Sequence, residues 1–147
     1  MASELSEIES FLRATAPFDR LGDEQVRAIL RKITVRYYRS GDKILRSGEH
    51  NDFLFVVRSG AVELRLAGEE LTARLERGGC FAFPSLLRGG EVRNTTTALE
   101  DTLCYLLPAD DFHTLRKSSQ GFRDYFADSE QERIRSAVRD LKRNRSQ

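Results

Sequence analysis

Gly78-Gly79-Cys80-Phe81-Ala82-Phe83-Pro84-Ser85-Leu86-Leu87-Arg88 is the stretch on which the reading of this chain turns, together with its continuation Arg93-Asn94-Thr95-Thr96-Thr97-Ala98. Two glycines end a strand, an aromatic follows, and Pro84 stands where a short helix over residues 85–87 starts. Proline suits the first helical position because its missing N–H would have no partner there. The free amides and positive dipole end of such a turn predict an anion seat. A lone helical turn between strands also serves as a plain connector, and the stretch by itself leaves both readings open. After it, the polar β-branched run at residues 95–97 restarts a strand pattern.

On either side the periodicity is that of strands. Upstream, residues 35–37, 43–45, 52–58, 61–66 and 71–75 read as extended segments, with turns at Ser40-Gly41-Asp42, Ser47-Gly48-Glu49, Ser59-Gly60 and Ala67-Gly68-Glu69. Downstream, residues 95–99 and 102–107 add two more, and Pro108 stops the sheet. Short strands separated by a glycine every eight to twelve residues predict a closed or sandwiched antiparallel sheet. At both ends the period lengthens to that of a helix. Leu5, Ile8, Phe11 and Leu12 mark a helix over 3–15 that ends before Pro17. Val26, Ile29, Leu30 and Ile33 mark another over 23–33, with Gly22 as its cap. Residues 109–117 and 122–143 supply two C-terminal helices. The expected fold is therefore mainly β with flanking helices: an eight-stranded antiparallel roll at 34–108 between helices at 3–33 and 109–143, in one domain spanning 1–147.

Composition bounds the function. With 147 residues, 39% hydrophobic and 32% charged, the chain is an ordinary globule, and a net charge of +1 gives no general pull towards nucleic acid or membrane. It has no apolar run long enough to span a bilayer and no signal peptide, so the expected compartment is the cytoplasm. Cys80 and Cys104 lie in apolar strand contexts and read as two buried free thiols. His50 and His113 are the only histidines, too few for the metal centre of a β-roll oxygenase. Neither a nucleophile elbow nor a P-loop is present, and no enzymatic chemistry is expected of this chain.

The element order and its glycines resemble the cyclic nucleotide-binding domain family, the regulators of catabolite-activator type and the regulatory subunits of protein kinase A. The resemblance runs from about Phe11 to Leu141. It is carried by Ser40-Gly41-Asp42-Lys43-Ile44, by the run from Phe53 to Leu64, by residues 78–87 and by Ala98-Leu99-Glu100-Asp101. More narrowly, Phe83-Pro84-Ser85-Leu86-Leu87 and the run 100–108 resemble a bacterial subgroup in which this domain opens a longer signal-transduction protein with CBS and nucleotidyltransferase domains.

The resemblance implies a phosphate-binding cassette made of Phe81, Ala82, Phe83, Pro84, Ser85 and Leu86, with Arg93, Thr95 and Thr96 beyond it. The implied ligand is a cyclic nucleotide or another small anionic nucleotide, with no cofactor assigned. The family cassette reads Phe-Gly-Glu-x-Ala-Leu and closes on Arg-x-Ala; here Ala82 replaces the glycine and Phe83 the glutamate that accepts from the ribose hydroxyl. Losing that acceptor costs about 1–3 kcal/mol, and the ring adds bulk at the ribose position, so Phe83→Glu is expected to improve cyclic AMP binding. Counting forward from Phe83 puts Arg93 at the phosphate position; counting back from Ala98 puts Val92 there, and both registers stay open. Two readings of the hollow also stay open: an altered ligand, or a plug made of Phe81, Phe83, Leu86 and Leu87. Arg88 reads as a surface residue. The stripe Ile134, Val138, Leu141 on the last helix predicts a homodimer or docking onto a downstream domain, while the basic residues beside it read as a solvated helix end, not a nucleic-acid contact.

Overall fold

A computed structural model describes residues 2–66 and 71–145. Helix α1 (Ala2–Arg13), a 3-10 turn at Phe18–Arg20 and helix α2 (Asp23–Leu30) lead into the strands β1 (Thr34–Tyr38), β2 (Lys43–Leu45), β3 (Phe53–Ser59), β4 (Val62–Leu66), β5 (Leu71–Leu75) and β6 (Cys80–Phe81). Helix α3 (Phe83–Leu87), strands β7 (Thr96–Ala98) and β8 (Thr102–Pro108), and helices α4 (Ala109–Ser118) and α5 (Gln120–Arg145) complete the chain. The eight strands form two four-stranded antiparallel sheets, ordered β1-β8-β3-β6 and β2-β7-β4-β5. This is the antiparallel roll with flanking helices that the strand spacing predicts.

Element ends differ from the sequence reading by a few residues. Helix α1 stops at Arg13 and α2 at Leu30, three residues before Ile33, which packs as apolar cover on the helix side of the core. Helix α3 opens two residues early, at Phe83, so that Pro84 stands inside its first turn. Helix α5 begins at Gln120. The turn at Ala67-Gly68-Glu69 lies outside the described residues.

Alternation along β3 and β8 builds two cores back to back. Phe55 and Val57, with Cys104 and Leu106, point into the roll, where they meet Leu45, Val62, Leu64, Leu66 and Phe81. Leu54 and Val56, with Tyr105 and Leu107, point the other way onto Phe11, Leu12, Phe18, Ile29, Phe112, Phe122 and Phe126. A sheet covered on both faces needs apolar side chains at every position, which is why Phe53-Leu54-Phe55-Val56-Val57 shows no polar alternation. Burying one such side chain contributes about 1.5–3 kcal/mol.

One corner is fixed by glycine. Gly60 sits at φ +94°, and a Cβ there would lie 2.5 Å from both the Asp101 carbonyl oxygen and Thr102 Oγ1. The fully buried Thr102 hydroxyl in turn accepts from the Ala61 amide at 3.2 Å and donates to the Glu100 carbonyl at 2.7 Å. Only a residue without a side chain allows that close approach.

Candidate ligand site

Helix α3 forms one wall of a hollow in the roll. Leu45, Leu64 and Val92 give it an apolar floor; Ala82, Pro84 and Ser85 of the α3 segment, with Thr96 of β7, line its side. Arg88, Arg93 and Asn94 complete the lining. With its mouth the depression measures about 310 Å³, but only about 20 Å³ is enclosed, room for little more than one water. No carboxylate is among the described residues that line it.

Ala82 precedes α3 at φ 73°, ψ 0°, the left-handed region, and it is the single non-glycine with positive φ among the described residues. An L-residue pays roughly 1–2 kcal/mol there. The backbone thus keeps the bend for which the family uses glycine, with a methyl group attached.

Two side chains lock α3 against β3. Ser85 Oγ donates to the Ala82 carbonyl at 2.7 Å and accepts from Asn51 Nδ2 at 3.1 Å. Asn51 Nδ2 also donates to the Phe53 carbonyl at 2.7 Å, and Asn51 Oδ1 accepts from the Phe53 amide at 3.1 Å. Asn51 is 5% exposed and Ser85 4%, so these bonds form away from water. The Gly90 amide then returns to the Ser85 carbonyl at 2.7 Å and closes the turn after the helix.

The residues assigned to the cassette from sequence separate in the structure. Ala82, Pro84, Ser85, Arg93 and Thr96 line the hollow, whereas Phe81, Phe83, Leu86 and Thr95 do not. Phe81 stacks on Phe55 at 4.9 Å inside the roll. Phe83 and Leu86 turn to the opposite side and join the helix core, with the Phe83 ring 4.8 Å from Phe126 of α5. Thr95 Oγ1 accepts from the Ser47 amide. The expectation that the Phe83 ring occupies the ribose position is therefore corrected: an apolar ring gains more from the helix core than from a wet mouth. The four-residue plug fails for the same reason, since Phe83 and Leu86 lie elsewhere and Leu87 is 47% exposed.

The arginines also depart from expectation. Val92 is 3% exposed and part of the roll core, so the register that counts back from Ala98 puts no cation in the hollow. Arg93 sits on the rim with 62% of its side chain exposed, its Nε 3.5 Å from the Glu91 carboxylate. Arg88, expected at the surface, is half-buried and lines the hollow. Neither Asn51 nor Arg88 stood out in the sequence: the first reads as a turn residue before a strand, the second as a polar helix end.

On α5, Val138 is half-buried, and the side chains of Ile134 and Leu141 lie outside the described residues. Ala137 is buried against the roll, so this part of the helix lies on β-structure. Cys80 and Cys104 are both buried and unbridged, and burial pushes the Cys104 thiol up to about 12. Among the described residues no helix is long and apolar enough to cross a membrane.

The comparisons with known proteins agree with this architecture. The chain is 29% identical to a cGMP-dependent protein kinase of Eimeria tenella over 71% of its own length and 10% of the kinase. It is 30% identical to the cGMP-dependent protein kinase egl-4 of Caenorhabditis briggsae over 92% of its length and 19% of that protein. It thus spans between a tenth and a fifth of these relatives. Among solved structures it resembles the catabolite activator protein of Thermus thermophilus, with 32% identity, a TM-score of 0.65, and 85% of this chain matched to 61% of that one. The regulatory subunit of a cAMP-independent protein kinase A from Trypanosoma brucei has the same fold at 17% identity and a TM-score of 0.75, over 86% of this chain and 47% of that one. The cyclic nucleotide-binding domain profile matches residues 35–119, more than half of the sequence and every strand of the roll, and the chain belongs to the cyclic nucleotide-binding domain family.

Proposed function

We propose that this domain is a ligand-sensing regulatory module of bacterial signal transduction whose hollow has been altered away from cyclic AMP. It forms a single unit over 1–147 at the N-terminal end of a longer protein, with CBS and nucleotidyltransferase domains following. The observation that carries the reading is the composition of the hollow: a family-type helical turn beside Ala82 and Ser85, two arginines, and, among the described residues, no carboxylate to accept from a ribose hydroxyl. A ligand need only favour one arrangement of α3 over another to act as a switch, and Phe83 on Phe126 gives α3 a direct hold on the last helix. That helix, through Ile134, Val138 and Leu141, passes the change to a second copy or to the following domain.

A thermal-shift screen with cyclic AMP, cyclic GMP, linear nucleotides and cyclic dinucleotides tests the reading. A ligand at a hundred times its dissociation constant adds about 2.7 kcal/mol, an easily read shift. The small enclosed volume favours a second reading, a ligand-free interaction domain, and the absence of any shift across the panel would select it. Sedimentation of the full-length protein and of residues 1–147 tests the last helix: a monomer in both excludes the dimer.

A further inference from the structure

A second concavity, which shares no described lining residue with the hollow, opens between α1 and the end of β3. It measures about 630 Å³ up to its open mouth, against about 310 Å³ for the hollow. Helix α1 lines it with Ser6, Glu7, Ser10, Phe11 and Ala14; Arg58 comes from β3 and Arg77 from the turn before β6. Backbone bonds bring the two arginines together. The Gly78 amide donates to the Val57 carbonyl at 2.8 Å, and the Val57 amide donates to the Gly79 carbonyl at 2.9 Å, so the turn is pinned to β3. Arg77 Nη1 adds a long bond of 3.4 Å to the Arg58 carbonyl. Both guanidinium carbons then rest on one ring, 5.0 Å and 5.1 Å from the Phe11 centroid for Arg58 and Arg77. That ring is a fixed platform, since Phe11 is 4% exposed and meets Tyr105 edge-on at 5.4 Å. Stacking holds a planar fork by its face and leaves the N–H groups on its edge free to donate. Two like charges on one ring repel, and among the described residues neither arginine forms an ion pair. Glu7 lines the same concavity and is not paired with either of them.

We propose that this concavity binds an acidic peptide segment of a partner protein. Two carboxylates of the segment take the forks of Arg58 and Arg77, and an N–H or ammonium group of the same segment donates to Glu7. The shape favours a chain over a compact ligand. Ser6, Ser10 and Ala14 are spaced four residues apart, so the opening follows α1 for about 12 Å, the length of about four extended residues. The charges favour a peptide over a bare phosphate, because Glu7 repels an ion that brings only negative charge. This claim stands apart from the hollow and from any ligand bound there.

Arginine Nε–H groups give their own resonances in proton–nitrogen correlation spectra, so the claim can be read at the groups concerned. The folded chain is titrated with end-blocked hexapeptides of glycine that carry one lysine and two aspartates, the aspartates adjacent or up to three residues apart. Their asparagine counterparts and inorganic phosphate are run beside them, with thermal melting as the check on folding. At least one aspartate peptide is expected to shift the Nε resonances of both Arg58 and Arg77, and the amides of residues 6–14, to saturation; its asparagine counterpart is expected to shift neither. Arg58→Gln and Arg77→Gln each weaken that binding about ten- to a hundredfold, the loss of a charge-assisted pair. Glu7→Gln weakens the lysine-bearing peptide and strengthens phosphate, a reversal that a merely structural role for Glu7 would not produce. Phosphate that saturates the same resonances at lower concentration than every peptide overturns the proposal in favour of a simple anion site. A peptide response confined to α3 and the hollow, or no saturable response to any peptide, overturns it as well and leaves the regulatory reading intact.

Discussion

At Ala82 a methyl group sits on a backbone bend shaped for glycine, with φ 73°. Ala82→Gly relieves the left-handed penalty but gives the unfolded chain more freedom, so the net gain is a few tenths to about 1 kcal/mol. A raised urea midpoint at unchanged slope would show it; a lowered midpoint would mean that the methyl group is packed to advantage. Phe83 behaves oppositely. Because its ring is buried on Phe126, Phe83→Glu puts a carboxylate in an aromatic core and costs about 3–5 kcal/mol. No gain in cyclic AMP affinity is expected, and a gain would mean that the ring faces the hollow after all. For Cys104, burial raises the thiol to about 12 against an ordinary 9.0. The folded state therefore holds the proton that the unfolded state gives up. The stabilisation is whole below about 9 and is lost as the pH rises towards 12. Iodoacetamide at neutral pH should label neither cysteine until urea unfolds the domain, and rapid labelling without urea would contradict the burial.

Helix α3 shows which parts of an element a sequence discloses. Its existence was legible, because Gly78-Gly79 and Pro84 punctuate a strand pattern in the way a helical turn requires. Its facing was not. A five-residue helix makes little more than one turn, and with Phe83, Pro84, Ser85 and Leu86 all buried no polar side marks the outside. Periodicity assigns a face only where one face is wet. The strands were easier, since β3 and β8 announce their double burial by unbroken apolar runs and the glycine corners bound them. The lock on α3 was hidden for another reason. Asn51 reads as a turn residue, and nothing local says that its amide reaches Ser85, 34 positions away. Asn51→Ala removes three hydrogen bonds from a buried site and leaves Ser85 Oγ with one partner fewer, for about 1–3 kcal/mol. The loss should be local as well as global. Amides bonded to the Ser85 carbonyl, those of Arg88 and Gly90, are expected to exchange faster in this variant than amides of β3 and β8. Uniform acceleration across the domain would show that Asn51 only adds stability and does not hold the helical turn in place.

Over the whole molecule, one sheet separates the roll core from the helix core, and the start of α3 stands at its edge, with the residue before the helix on one core and the first residue of the helix in the other. Ala82 packs against the roll cluster, and Phe83, its neighbour, belongs to the helix cluster. A small rotation of α3 around Ala82 must therefore move Phe83 against a ring group of Phe112, Phe122 and Phe126, whose centroids lie 5.0–6.0 Å apart. Close-packed aromatic rings do not absorb such a movement in place, so α4 and α5 are bound to follow. Phe126→Ala tests this coupling. Removing a ring that is 2% exposed costs about 3–5 kcal/mol by loss of burial and by the cavity left behind, so the variant should be compared with Phe18→Leu, which thins the same core at Phe122 without touching Phe83. If α3 and α5 communicate through Phe83, a ligand that fills the hollow will slow amide exchange in α4 and α5 of the wild type and of Phe18→Leu. In Phe126→Ala it will slow exchange only around α3, while its affinity changes little. Protection reaching α5 equally in all three proteins would mean that the signal travels by another route, through β5 and the buried Ala137.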